Sequence, residues 1–272
     1  MPTVTENKRL WDEDFAWTQR GDEWSDSWGG PSMQWYGSIL PRIHRFVPTG
    51  RILEIACGFG RWTQFLQDSC EALTVVDLAE ECIAACRERF ASSTNIDYHV
   101  NDGTSLSMIP DGSVDFVFSY DSLVHADESV LAAYIAQLPR ILTEGGGAFI
   151  HHSNLGAYRL TASIVRRARR VRRMEGALAR LRIIERTHLR DTGVSAAMVE
   201  EIARESGLRC VSQELIPWGT RRTEIDCFTT LLARGATGSD GNRVMHNPNF
   251  MYEARNLARL SRLYVRSKDE QR

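Results

Sequence analysis

The sequence has no cysteine-pairing pattern, no long apolar run, no internal repeat, no low-complexity tract and almost no excess of either charge. Its six cysteines (57, 70, 82, 86, 210 and 227) are scattered without a CxxC pair, which argues against a zinc cluster or a disulfide framework and for reduced thiols in core positions. No apolar stretch approaches the ~20 residues needed to span a bilayer. The first thirty residues are acidic and rich in tryptophan, a composition wrong for a signal peptide. With 33 Lys and Arg against 35 Asp and Glu, the net charge is -2, so the surface as a whole is not built for nucleic acid. These absences leave a folded chain of 272 residues, long enough for one elaborated domain or a domain with appendages, and expected in the cytoplasm.

Five of the seven tryptophans (11, 17, 24, 28 and 35) fall in the first 35 residues. That much aromatic surface is costly to leave in water, so residues 1–50 are expected to lie as a cap across the main domain. Packing alone and a role in covering a ligand are both open for it. From residue 51 the pattern becomes strand–helix alternation. Strands are predicted at 51–56, 72–77, 96–101, 114–120 and 148–152, with helices at 62–70, 80–90 and 130–142 and a glycine run at 145–147 before the fifth strand. Such alternation predicts an α/β doubly wound sheet, parallel, with helices on both faces. Ligands then bind beyond the carboxyl ends of the strands.

The pattern breaks after residue 155. Residues 156–190 hold eleven arginines and only two acids, Glu175 and Glu185, with apolar positions at helical spacing. The insertion is placed at 156–193. The remainder, 194–272, contributes a helix at 195–206, two closing strands at 209–216 and 226–234, and a last helix at 249–266.

The string EIACGFG at 54–60 ends the first strand and opens a helix. Gly58 and Gly60 let the backbone turn tightly against a ligand. A dinucleotide fingerprint would need a third small residue at 63, where Thr63 stands. Glu54 suits an ammonium group better than a pyrophosphate. Asp77, ending the second strand, can accept from both ribose hydroxyls, and Asp102, after the third, lies in reach of an adenine amino group. Ala56, Trp62, Leu78, Gly103 and Ser119 fall at the same strand ends and complete the candidate cofactor set.

Taken together, these motifs resemble the class I S-adenosylmethionine-dependent methyltransferases over roughly 51–154, with Cys57 where the family more often has glycine. The resemblance implies a Rossmann-like, seven-stranded, mostly parallel sheet whose last strand is antiparallel, with S-adenosylmethionine held by 51–155. Methyl transfer is an in-line displacement, so the acceptor atom must sit about 3–3.5 Å from the methyl group and lose its proton. The fourth strand runs into SYDSLVHAD at 119–127. There His125 is a candidate base, with Asp121 or Asp127 able to orient it and Tyr120 beside it; a packed or helix-capping histidine reads equally from the same string.

His152 of the tandem His151–His152 pair is taken as the second catalytic candidate, on the expectation that it is the one facing the cleft. Asp121, His152 and Asn154 could together hold a divalent cation such as Mg2+, as strand-end residues do in several metal-assisted O-methyltransferases, although histidine is an unusual magnesium ligand. The strings FSYDSLVHAD, FIHHSN and GFGRWT are similar to bacterial methyltransferases of sugar and polysaccharide modification, those of methylmannose polysaccharide assembly among them. That similarity implies a small-molecule carbohydrate acceptor and O-methylation. The basic insertion, with Arg221 and Arg222, leaves an anionic acceptor, RNA or a homodimer surface open. A nicotinamide-dependent oxidoreductase is opposed by Thr63, and a non-catalytic cofactor-binding protein is the remaining alternative.

Overall fold

The computed structural model describes residues 4–9, 17–169, 189–218, 223–238 and 241–264. Residues 170–188 of the basic insertion, and Arg221 and Arg222, lie outside them. Eight strands form one sheet: β1 (Thr49–Ile55), β2 (Cys70–Asp77), β3 (Ile96–Val100), β4 (Val114–Ser119), β5 (Leu142–Ser153), β6 (Arg209–Ile216), β7 (Asp226–Leu232) and β8 (Arg243–His246). Their spatial order is β3-β2-β1-β4-β5-β7-β6-β8. All neighbours run parallel except β7, which is antiparallel to both β5 and β6. The predicted α/β, Rossmann-like class and the antiparallel seventh strand are therefore present. The strand count is corrected from seven to eight, because β8 pairs in parallel with the edge of β6. All four residues of β8 are exposed, so it lacks the buried apolar run that marks the other strands.

Helices cover both faces. Along the chain these are α1 (Val4–Arg9), α2 (Pro31–Gln34), α3 (Leu40–Ile43), α4 (Thr63–Leu66), α5 (Glu80–Arg89), α6 (Glu128–Ile141), α7 (Arg159–Arg169), α8 (Ala196–Glu205) and α9 (Phe250–Tyr264). Asp127 caps α6 by accepting from the Val130 amide at 3.1 Å, and Ser195 caps α8 by accepting from Met198 at 3.4 Å. Among the described residues no helix is long and apolar enough to cross a membrane.

Strand alternation sorts the core into two layers. Val117, Ala148 and Ile150 face α6 and α8, where Leu131, Ile135, Leu138, Val199 and Ala203 close over them. Phe116, Phe118, Phe149 and Phe228 face the other way, against Trp28, Trp35 and Ile39 of the leading segment and Phe250 of α9. The leading segment is thus one wall of the aromatic core. β5 starts at Leu142, six residues earlier than the sequence suggests, because Gly145 to Gly147 continue the strand. A Cβ at Gly147 would stand 2.6 Å from Phe46 and 2.9 Å from the Leu231 carbonyl, so this glycine admits close strand packing rather than a turn.

Arg42 fastens the aromatic layer. Its guanidinium donates to Glu214 of β6 at 2.7 and 2.8 Å and to Glu253 of α9 at 3.0 and 3.1 Å. It also lies over the Phe228 and Phe250 rings at 5.6 and 5.4 Å. Arg42→Met should lower unfolding free energy by about 2–4 kcal/mol in urea titrations, since it strands a nearly buried carboxylate. A change below about 0.5 kcal/mol would show that water already screens the pair.

Candidate functional site

The carboxyl ends of β1, β2 and β4 open on a cleft whose empty space, open solvent included, is about 920 Å³. At one end the backbone takes three left-handed steps after β1, at Ala56 (φ 60°), Gly58 (φ 55°) and Gly60 (φ 83°). Asp77 organises this end. Its carboxylate accepts from the Gly58 amide at 2.9 Å and from Ala79 at 3.0 Å, tying the glycine loop to the start of α5. Asn101 shapes the facing turn, accepting from the Gly103 amide and donating to the Tyr134 hydroxyl, each at 2.9 Å. Leu78, Cys82, Ala126, Val130 and Tyr134 line the apolar wall between them.

The other end is aromatic and charged. Trp17, Trp24, Trp62 and Tyr120 line it together with Arg61, Asp121 and His125. Trp17 stacks on Phe59 of the glycine loop at 4.3 Å. Arg61 lies against Trp24 and Trp62 (5.2 and 4.6 Å to the ring centroids) and donates to Asp121 at 2.8 Å. Asp121 has φ 63°, and its amide donates to His151 Nδ1 at 3.1 Å. On the far side Arg190 grips Asp226 at 2.8 and 2.9 Å and stands 3.8 Å from Asp121. His151 Nε2 is 3.3 Å from Asp226. Arg61 and Asp121 at the cleft and Arg190 and Asp226 buried beneath it therefore form a balanced set of two arginines and two aspartates.

Burial pushes the Asp121 carboxyl up, but Arg61, Arg190 and His151 outweigh it and hold the group below its ordinary value. The same contest, won by Arg190 and His151, keeps Asp226 ionised. Burial and then the Arg190 charge lower His125 to about 4, so its imidazole is neutral at pH 7.

Residues 52–146 match a family model described as a methyltransferase domain. A ubiquinone biosynthesis O-methyltransferase of Xanthomonas campestris pv. campestris is 28% identical over 109 residues, 40% of this chain and 45% of that protein. The chain thus spans less than half the length of that relative. Among solved structures, the PH0226 protein of Pyrococcus horikoshii OT3 has 18% identity over 83% of this chain and 96% of its own, with a TM-score of 0.55. The N-methyltransferase NodS of Bradyrhizobium japonicum WM9, in complex with S-adenosyl-L-homocysteine, has 17% identity over 84% and 96%, with a TM-score of 0.51.

Residues 52–146 are thus similar to a methyltransferase domain. That fold implies S-adenosylmethionine, and the residues present fit that group: a strand-end carboxylate suits a ribose, bare glycine backbone suits close approach, and Leu78, Val130 and Tyr134 suit a flat base. Ala56, Gly58, Trp62, Asp77, Leu78, Gly103, Tyr120, Asp121 and His125 all border the one cleft.

Other candidates stand elsewhere. Glu54 is buried behind the loop, where Thr63, the residue that broke the dinucleotide fingerprint, donates to it at 2.6 Å. Gly60 makes room for Phe90, which a Cβ would meet at 2.5 Å. Asp102 is turned to its own loop, accepting from the Thr104 and Ser105 amides at 2.8 and 2.6 Å. Ser119 is fully buried and does not border the cleft.

His152 is corrected too. It shares the α8 face with Ile150, bonds Thr229 at 2.7 Å and the Ser153 carbonyl at 2.9 Å, and is lowered to about 4 by burial. His151 is the one on the Tyr120 side. Asn154 spends its amide on the Glu224 carbonyl and the Ala196 amide, each at 2.9 Å. Asp121, His152 and Asn154 therefore do not converge on a cation. Among the described residues, no group of three His, Cys, Asp or Glu side chains is arranged to hold one.

Sequence reasoning missed Arg61, Tyr134, Arg190 and Asp226. Arg61 was visible as the residue following Gly60, whereas Arg190 was submerged in the run of insertion arginines.

Asp77→Ala should weaken S-adenosylhomocysteine binding at least about tenfold by calorimetry, through loss of both the ribose acceptor and the loop tie; unchanged affinity would refute the assignment. A second expectation concerns Glu54, which burial raises from 4.5 to about 8. The folded chain keeps a proton that the unfolded chain releases. Stability from this group is full below about pH 4.5 and is lost as pH rises through about 8. Glu54→Gln should flatten the fall in Tm between about pH 5 and 9, and parallel curves for the two proteins would mean that Glu54 ionises normally.

Proposed function

We propose that the chain is an S-adenosylmethionine-dependent O-methyltransferase acting on a hydroxyl of a small carbohydrate acceptor. The observation that carries this reading is one continuous cleft with Asp77 and Gly103 at one end and Arg61, Asp121 and His125 at the other. The matched domain supports the reaction class, and the O-methyltransferase relative supports oxygen as the acceptor atom. Asp77, Gly58 and Gly103 would hold the adenosine portion, and Leu78 and Tyr134 the base. Bound there, S-adenosylmethionine supplies an electrophilic methyl group on a sulfonium.

The chain's own task is to hold the acceptor, exclude water and take a proton. Trp17, Trp24, Trp62 and Tyr120 offer flat apolar faces of the kind on which sugar rings stack. His125 takes the proton, because its imidazole is neutral while Asp121 is committed to Arg61. Tyr120 is raised by burial and by Asp121, so it stays a phenol and positions through its contact with Gln34.

The test is S-adenosylhomocysteine release with a panel of sugar acceptors. His125→Gln should lower kcat by about a hundredfold or more with cofactor affinity unchanged; full turnover would remove His125 as the base. The wild-type rate should rise with pH through about 4 and stay level to neutrality, as a base that must be unprotonated requires. Tight cofactor binding with no turnover of any sugar would overturn the carbohydrate assignment.

A further inference from the structure

Residues 189–192 form a short strap packed against Val124 and His125 at the chemical end of the cleft. The Asp191 amide donates to the Val124 carbonyl at 3.0 Å, and Ser153 Oγ donates to the Asp191 carbonyl at 2.7 Å. Asp191 Oδ1 caps the turn that follows by accepting from Val194 at 3.1 Å. Between these anchors Leu189 is held at φ 62°, a left-handed conformation unfavourable for a branched residue, and Arg190 is locked on Asp226 by a fork of bonds at 2.8 and 2.9 Å. The outcome of this constrained geometry is that the Leu189 carbonyl points at His125 Nδ1, 3.3 Å away.

A peptide carbonyl can only accept a hydrogen bond. The proton of the neutral imidazole must then sit on Nδ1, and Nε2 becomes the basic nitrogen. The bond made by one ring nitrogen decides what the other can do. The charged groups that act on the ring are Arg190 of the strap, Asp121 at the end of β4 and Asp226 at the start of β7, and Arg190 has the largest effect of the three.

We propose that the strap is the positioning element of the methyl-transfer reaction: the Leu189 carbonyl fixes His125 as the Nδ1–H tautomer, and the Arg190–Asp226 pair holds that carbonyl in place. This rests on His125 being the base. Leu189, Arg190 and Asp226 act through His125 and are positioning residues.

The experiment is two-bond 15N–1H correlation spectroscopy of 15N-histidine-labelled protein bound to S-adenosylhomocysteine, with the His125 signal assigned by its loss in His125→Gln. The Nδ1–H pattern near neutral pH is expected, and an Nε2–H pattern overturns the proposal. Asp226→Asn should loosen the fork. It should give a mixture of tautomers and a kcat about tenfold lower, with KM for the cofactor unchanged. Wild-type tautomer and wild-type kcat in that variant would overturn the proposal. Should Asp226→Asn not fold, Arg190→Lys, which keeps the charge and loses the fork, carries the same two expectations. Full activity of His125→Gln would sink the base assignment alone, while the tautomer still judges the strap.

Discussion

Asp121 and Asp226 lie under the cleft with Arg61 and Arg190, all four nearly out of reach of water, and each element that meets there is placed by the need to keep them paired. Arg61 comes from the loop after β1, Asp121 from the end of β4, Asp226 from the start of β7 and Arg190 from the segment that follows β5. Removing one member of such a set leaves its partner charged in a poorly solvating medium, at a cost of about 3–5 kcal/mol. The set also explains the local strain: Asp121 accepts a left-handed backbone so that its carboxylate reaches Arg61 while its amide reaches His151. A groove lined by aromatic rings would otherwise be a generic apolar slot. The charges give it a polar floor with fixed geometry.

The two ends of the cleft are built differently. Asp77 and Asn101 each fix a backbone turn, Asp77 while bordering the cleft and Asn101 by holding Gly103 and Tyr134, which do. Asp77 is the clearer case: two backbone amides converge on its carboxylate, so the same group that shapes the glycine loop presents an acid at the end of β2. At the chemical end, the acid closest to His125 in sequence has a different duty: Asp127 is spent as the cap of α6, and the ring's Nδ1 turns to the Leu189 carbonyl.

Seven of the eight strands, the antiparallel closing pair and the longer helices after β2 were legible in the sequence because each rests on a local signal, a short apolar run or a helical spacing of apolar residues; the exposed β8 carries none. The place of Asp77 and Gly58 at the ends of β2 and β1 was legible for the same reason. The side to which His151 and His152 point was not. Parity along β5 is set by its pairing with β4 and β7, and the three glycines that read as a turn are part of that strand. Glu54 and Asp102 sit at the predicted points of the topology, yet a threonine nine residues on claims the first and its own loop claims the second. Arg190 and Asp226 are 36 residues apart and meet only because β5 and β7 are neighbours, which no spacing rule reveals.

Gly58 and Gly103 border the cleft from opposite sides, and both also touch the leading segment. A Cβ at Gly58 would stand 3.3 Å from Trp17, and one at Gly103 would stand 2.8 Å from Val4. Any side chain arising at either position therefore meets the leading segment. Substitutions in the two regions are energetically coupled, as those of touching residues generally are. Val4 and Trp17 thus set how much room the two turns have, and a bulkier residue at either glycine displaces the leading segment before anything else.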